Sequence, residues 1–291
     1  MYVINQAECL REGICSSELQ RPTAVIIDEG IRMDRLRTRT AIKYLAILTM
    51  LIDHIGMFFI PISTIPGLLC RVIGRFTAPT MCFFLAEGYI HTSSRKKYGT
   101  RLFVFGVLSQ IPYALSHYAV PSRDPLLQDT VAGVAGFSWE RAWKALLTPD
   151  FNMILTLFLS FLILYVYDLV PGYNKRIVLI GLLLAASMFC DWGMVAPFYA
   201  LTFAIYREDR KKQLKYFVLI TMCYVIMETV FCIMNDRHWY GQLWQLGLLL
   251  FIPVLSLYNG ENGSRSAFHK WFFYLFYPIH LLIFWAILTW C

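Results

Sequence analysis

The chain has 291 residues, of which 58% are hydrophobic, 16% aromatic and only 15% charged, with a formal net charge of +7. A soluble domain carries about 25% charged residues, so this composition excludes a soluble globular protein, and the missing period-2 alternation excludes an outer-membrane barrel. What remains is an all-α, polytopic helical membrane protein, whose basic residues fall in short connections between apolar segments as the positive-inside rule requires, with no sign of a nucleic-acid partner.

In chain order, residues 1–39 carry mixed charges and no apolar run of signal-peptide length. They are expected as a cytoplasmic tail, with Met33 an alternative start. The stretch from Asp28 to Arg39 is either a basic helix on the membrane surface or a plain polar tail. Residues 40–291 then form one transmembrane domain. Its apolar segments are 41–60, 66–90, 101–117, 152–168, 177–190, 193–206, 215–234, 241–257 and 271–290, which predicts about nine helices. The fifth and sixth fall short of the ~20 residues that a span needs. They are either tilted spans or a re-entrant pair meeting at Cys190-Asp191-Trp192-Gly193. Pro79 is expected to bend the second segment. An apolar-aromatic piece around Phe137–Trp143 is suited to lie along the interface as a short helix.

Eight cysteines are present, without CxxC or Cys/His metal spacing. Most lie in apolar segments and read as small hydrophobes, so neither a disulfide framework nor a metal site is expected.

Orientation follows from counting basic residues. With the N-terminus in the cytoplasm, the inner loops hold Arg95, Lys96, Lys97, Arg101, Lys175, Arg176, Arg207, Arg210, Lys211, Lys212, Lys215, Arg265 and Lys270. The outer loops hold only Arg123, Arg141, Lys144 and Arg237. That asymmetry places the N-terminus inside and the C-terminus outside. No internal repeat is visible, so the inverted-repeat plan of many secondary transporters has no support.

Ionisable residues inside apolar segments are costly and mark function by default. Asp53 and His54 sit side by side near the middle of the first segment. Arg71, Arg75, Asn152, Asp191 and Glu228 fall in the central or outer part of the membrane, and His280 near the middle of the last helix. The bland alternative is a set of structural ion pairs such as Asp53 with Arg71 or Arg75. Asp53 and His54 project ~100° apart on a helix and need different partners. Arg71 and Arg75 share a face, as do Glu87 and His91. Arg71 and Glu87 would point nearly opposite ways on a straight helix, so the second segment serves an outer pocket with its arginines and an inner one with Glu87 and His91.

These residues also form a family pattern. Leu51-Ile52-Asp53-His54-Ile55-Gly56, Arg71-Val72-Ile73-Gly74-Arg75 with Pro79, Glu87-Gly88-Tyr89-Ile90-His91-Thr92, Lys97-Tyr98-Gly99-Thr100-Arg101-Leu102 and Ser109-Gln110-Ile111-Pro112-Tyr113 form its specific part. Shorter pieces are Asn152-Met153-Ile154-Leu155-Thr156-Leu157, Asp191-Trp192-Gly193 and Tyr277-Pro278-Ile279-His280-Leu281. Together they resemble the TraX family of polytopic membrane proteins, whose namesake N-acetylates the F-pilin subunit. The resemblance runs from near Lys43 to the last helix.

The resemblance implies a multi-pass acetyltransferase of the bacterial plasma membrane that takes acetyl from cytoplasmic acetyl-CoA. In that reading His54 is the general base, since an unperturbed pKa of ~6.5 suits proton removal near neutral pH. Asp53 holds Arg71 or Arg75, and one of these arginines steadies the oxyanion. His280 is a second candidate base. Glu87, His91, Arg95, Lys96, Lys97 and Arg101 order the CoA side, because clustered Lys and Arg hold phosphates, although any inner loop is basic. The acceptor is a peptide amine, as in a pilin-like N-terminus, or a hydroxyl of a cell-envelope glycan or lipid. Two rivals use the same residues differently: a proton-coupled transporter, and a structural or assembly role in which they serve stability alone.

Overall fold

A computed structural model describes residues 38–118, 139–147, 150–261 and 266–290. The expected N-terminal tail up to residue 37 lies outside the described residues. The described elements are helices α1 (Arg39–Phe59), α2 (Ile65–Gly74), α3 (Thr77–His91), α4 (Arg95–Tyr118), α5 (Trp139–Leu147), α6 (Met153–Leu169), α7 (Tyr173–Ser187), α8 (Val195–Ile205) and α9 (Arg210–Met234), a 3-10 helix (Trp239–Phe251), α10 (Ile252–Leu257) and α11 (Ala267–Trp290). Among the described residues there is no β-strand, only an isolated bridge between Phe151 and Cys190.

Among the described residues, five helical stretches are long and apolar enough to cross a bilayer: α1, α2 with α3, α9, the 3-10 helix with α10, and Trp271–Trp290 of α11. They coincide with five of the expected spans. α6 and α8 are apolar but shorter. Apolar side chains such as Leu48, Leu108, Ile226 and Phe231 stand exposed on the outside of the bundle. A hydrocarbon solvent accommodates that surface where water would not. The chain is an integral membrane protein.

Local signals set the helix ends. The side chains of Thr38, Thr64, Asn152 and Asp209 accept backbone N–H groups at the starts of α1, α2, α6 and α9, supplying partners that the first turn lacks. The second expected segment is interrupted at Arg75–Phe76, where the amides of Arg75 and Phe76 reach back only to Val72 and Ile73. The break therefore precedes Pro79. That proline occupies the first turn of α3, where its missing N–H costs no hydrogen bond. Gly74, the last residue of α2, lies against Asp53, and a Cβ there would collide with the aspartate side chain.

The centre of the bundle is α3 against α8. Phe83 and Phe84 of α3 are buried, as are Tyr199 and Phe203 of α8. Rings of Phe83, Phe203, Phe217 and Phe251 meet edge-to-face or tilted at 5.4–6.0 Å. Such contacts add to the area they bury. α8 has 11 residues, about 16 Å at 1.5 Å per residue, which is about half the hydrocarbon thickness. The turn before it, Met188–Met194, lies level with the start of α6, tied there by Phe151 N–H to Phe189 O (2.8 Å) and Asp191 N–H to Phe151 O (2.7 Å).

Candidate functional site

The first functional cluster is an ion-pair fork. Asp53 on α1 accepts from Arg71 Nη1 through Oδ1 and from Arg75 Nη2 through Oδ2, each at 2.7 Å. All three side chains are largely buried. One carboxylate thus faces two guanidiniums, and the buried Asp191 carboxyl lies within electrostatic reach of both arginines. Two tryptophans frame it. The Arg75 guanidinium lies 4.7 Å from the Trp192 ring and 4.6 Å from Trp244, and Arg71 lies 4.7 Å from Trp244. Those are cation–π distances. Trp192 adopts φ +68°, a left-handed conformation that a bulky residue rarely takes outside constrained sites. The Nε of Arg75 is buried with no hydrogen-bond partner among the described residues. An unmet donor of this kind is expensive unless another group uses it.

Beside the fork lie three histidines from three helices: His54 (α1), His117 (α4) and His280 (α11). The Nδ1 of each lies near the carbonyl one turn back on its own helix: Met50 O at 2.9 Å, Tyr113 O at 3.0 Å and Phe276 O at 2.7 Å. A carbonyl only accepts, so Nδ1 carries the proton and Nε2 the lone pair. His280 Nε2 also approaches His54 Nδ1 at 3.3 Å, and their ring centroids are 4.9 Å apart. The His117 ring lies 6.2 Å from that of His54. Arg71 is within electrostatic reach of both His54 and His117. The Nε2 of His54 has no hydrogen-bond partner among the described residues. The arrangement offers a proton acceptor near two guanidiniums, a combination suited to acyl transfer.

A cavity of about 610 Å³ opens among the helix ends that carry Arg39, His91, Arg101 and His269. It runs inward past Lys43, Phe84 and Phe273 to Met50, Met153, Ile154 and Tyr277. Met50 is one turn from His54, and the Tyr277 ring is 5.7 Å from that of His280. The cavity therefore ends next to the histidines.

The structure divides the residues expected on the CoA side. His91 and Arg101 line the cavity. Glu87 does not, but meets His91 at 3.6 Å. Arg95 turns away: it pairs with Asp168 at 2.8 Å and lies over Tyr89 at 4.6 Å. Lys96 and Lys97 are exposed and outside the lining, because α4 already begins at Arg95 and its first turn carries them to solvent. Arg39 and Lys43, which the sequence reading did not single out, take their place. His117, Trp192 and Trp244 were likewise not assigned roles. His117 could have been found from Tyr113, one turn before it on the same helix.

Several motif residues hold the scaffold instead. Asn152 is fully buried. Its Oδ1 accepts from Ile154 and Leu155 N–H, and its Nδ2 donates to Gly106 O and Gln110 Oε1, both at 2.8 Å. Gln110 Nε2 donates to Asp150 O at 2.8 Å, and Tyr113 OH to Asp150 Oδ2 at 3.1 Å. This network fixes the start of α6 against α4. Glu228 meets Tyr224 rather than the ion-pair fork.

The family described as "TraX protein" matches residues 38–288. A probable fimbrial assembly protein FimC (serogroup H1) of Dichelobacter nodosus is 29% identical over 256 residues, covering 83% of this chain and 92% of that protein. An uncharacterized protein of Rickettsia prowazekii (strain Madrid E) is 37% identical over 81 residues, 28% of this chain and 29% of its own length. No solved structure matches the chain. With its family match extending from the first turn of α1 almost to the end of α11, the chain belongs to the TraX family.

Proposed function

We propose that the protein is a multi-pass acetyltransferase of the bacterial plasma membrane, moving acetyl from cytoplasmic acetyl-CoA to an acceptor amine or hydroxyl. Its N-terminus is cytoplasmic and it places about nine helices in the membrane, α4, α6, α7 and α8 joining the five long ones, with α8 reaching only about half way across. The relative named as a fimbrial assembly protein favours a pilin-like N-terminus as acceptor over a cell-envelope glycan. The observation that carries the reading is His54, with its open Nε2, next in sequence to the Asp53 of the fork and bonded through Nδ1 to the carbonyl of Met50, which lines the inner end of the cavity.

The acceptor's nitrogen or oxygen attacks the thioester carbonyl carbon, and His54 Nε2 takes the proton it sheds. The carbonyl oxygen becomes an oxyanion, stabilised by N–H groups of the fork's guanidiniums. Arg71 is the member within reach of the histidines, and Arg75 has a spare Nε–H. The intermediate collapses with cleavage of the C–S bond. The thiolate leaves toward the cavity and recovers the proton from His54.

Purified protein in proteoliposomes, given labelled acetyl-CoA with a pilin-like peptide or an envelope glycan, tests this. Label should move to one acceptor and stop moving in His54→Ala. Solute flux driven by a pH gradient, with acetyl-CoA untouched, would replace this reading with the transporter. Full transfer by folded His54→Ala would remove His54 from the mechanism.

A further inference from the structure

Lys43 lies in the second turn of α1, inside the cavity wall and not in a loop. Its Nζ sits 5.6 Å from the Phe84 ring centroid and 5.2 Å from that of Phe273. Among the described residues it makes no hydrogen bond and no ion pair. Arg39, one turn earlier on the same face, also lines the cavity, and Arg101 reaches it from α4. The Arg101 Nε is buried without a hydrogen-bond partner. Among the described residues, no Asp or Glu lines the cavity. The positive-inside rule accounts for cations in loops, such as Lys96 and Lys97, and not for an ammonium held within an apolar wall.

A cation taken out of water without a counter-ion is disfavoured, and two aromatic rings compensate only in part. An anionic ligand that enters the cavity removes that cost. Past Lys43 the lining turns apolar with Ile47, Met50, Met81 and Ile154, so the ligand is anionic at one end and extends a slender, uncharged arm inward. Guanidiniums at the mouth suit phosphate oxygens, which they bind in a fork.

We propose that this cavity is the donor-binding channel, in which the phosphates of a CoA-type donor rest on Arg39 and Arg101 at the mouth and on Lys43 one turn deeper, while the thioester arm runs to Met50 and Tyr277. The assignment rests on the acetyl-transfer reading above and shifts its donor site from the exposed Lys96 and Lys97 to the cavity wall.

The test is calorimetric titration of acetyl-CoA into detergent-purified protein, comparing wild type with Lys43→Met, Lys43→Arg and Lys96→Ala/Lys97→Ala, alongside competition on the wild type. Lys43→Met should weaken acetyl-CoA binding about tenfold or more, the scale of a buried charge pair losing one partner. Lys43→Arg should retain most of the affinity, and Lys96→Ala/Lys97→Ala should bind as wild type does. On wild-type protein, CoA should compete and pantetheine, which lacks the phosphates, should compete poorly. This arm does not depend on any variant folding. Equal competition by pantetheine overturns the proposal, as does displacement of acetyl-CoA by phosphatidylglycerol in mixed micelles, which would make the cavity a lipid site. Binding that survives Lys43→Met but is lost in Lys96→Ala/Lys97→Ala overturns the site and leaves the acetyl donor standing. Failure of folded wild type to bind acetyl-CoA at all removes the donor reading itself.

Discussion

His280 Nε2 lies 3.3 Å from His54 Nδ1, so the His54 Nδ1–H is shared between the ring of the last helix and Met50 O of its own. Two residues 226 apart in sequence thereby fix one imidazole in one tautomer. The Nδ1–H of His280 is in turn held by Phe276 O at 2.7 Å. A base works when its lone pair points at the proton to be removed. Here two carbonyls and one neighbouring ring leave His54 Nε2 as the available lone pair.

This gives the two histidines unequal roles. His54→Ala should abolish acetyl transfer, a loss of about 10²–10⁴-fold for a missing general base. His280→Gln keeps a polar group near His54 and should lower the rate less while leaving acetyl-CoA affinity intact. Single-turnover transfer measured beside acetyl-CoA titration separates the two effects. Equal loss in both variants would make the pair one catalytic unit.

The Asp53 fork predicts a contrast between stability and rate. Asp53→Ala leaves Arg71 and Arg75 buried without their carboxylate, at a cost of about 3–5 kcal/mol. The variant should unfold at markedly lower temperature in a detergent thermal-shift measurement. Arg71→Gln leaves Asp53 still paired with Arg75, so folding should be better preserved while transfer falls by about 10²–10³-fold, as when a preorganised oxyanion donor is removed. Wild-type turnover by folded Arg71→Gln would assign the fork to structure alone.

The fork was legible in the sequence because a carboxylate within an apolar run needs a cation, and Arg71 and Arg75 share one face at i, i+4. The five long apolar helices were legible for the same kind of reason. Lys43 was not, because its charge at the start of a span is also what the positive-inside rule provides. Lys96 and Lys97 attracted attention through clustering, but the helical phase of α4 turns them to solvent. His117 enters only through tertiary packing, and Trp192 only through a φ that no sequence pattern announces. Asn152 read as one more buried polar group, whereas all of its hydrogen-bonding capacity is spent on α4 and the first turn of α6.

Asn152 therefore supplies the control for function. Asn152→Ala removes the cap of α6 together with the bonds to Gly106 and Gln110, and caps alone are worth about 1 kcal/mol. Thermal stability should fall, while transfer per folded molecule and acetyl-CoA affinity stay near wild type. A selective loss of turnover at unchanged stability would move Asn152 into the catalytic set.

Trp192 combines two opposing energies, and a pair of substitutions separates them. Its φ of +68° costs of order 1–3 kcal/mol in a bulky residue, and its ring returns part of that by covering the Arg75 guanidinium at 4.7 Å. Trp192→Gly relaxes the backbone and strips the cover. Trp192→Phe keeps the strain and most of the cover. If the strained turn exists to seat Arg75 for the oxyanion, Trp192→Gly should be as stable as wild type or more so, yet transfer acetyl more slowly. Trp192→Phe should keep most of the rate without gaining stability. Thermal unfolding and single-turnover rates on the two variants decide it. A slower Trp192→Gly that is also less stable would mean that the ring serves packing, and the strain would then need another explanation.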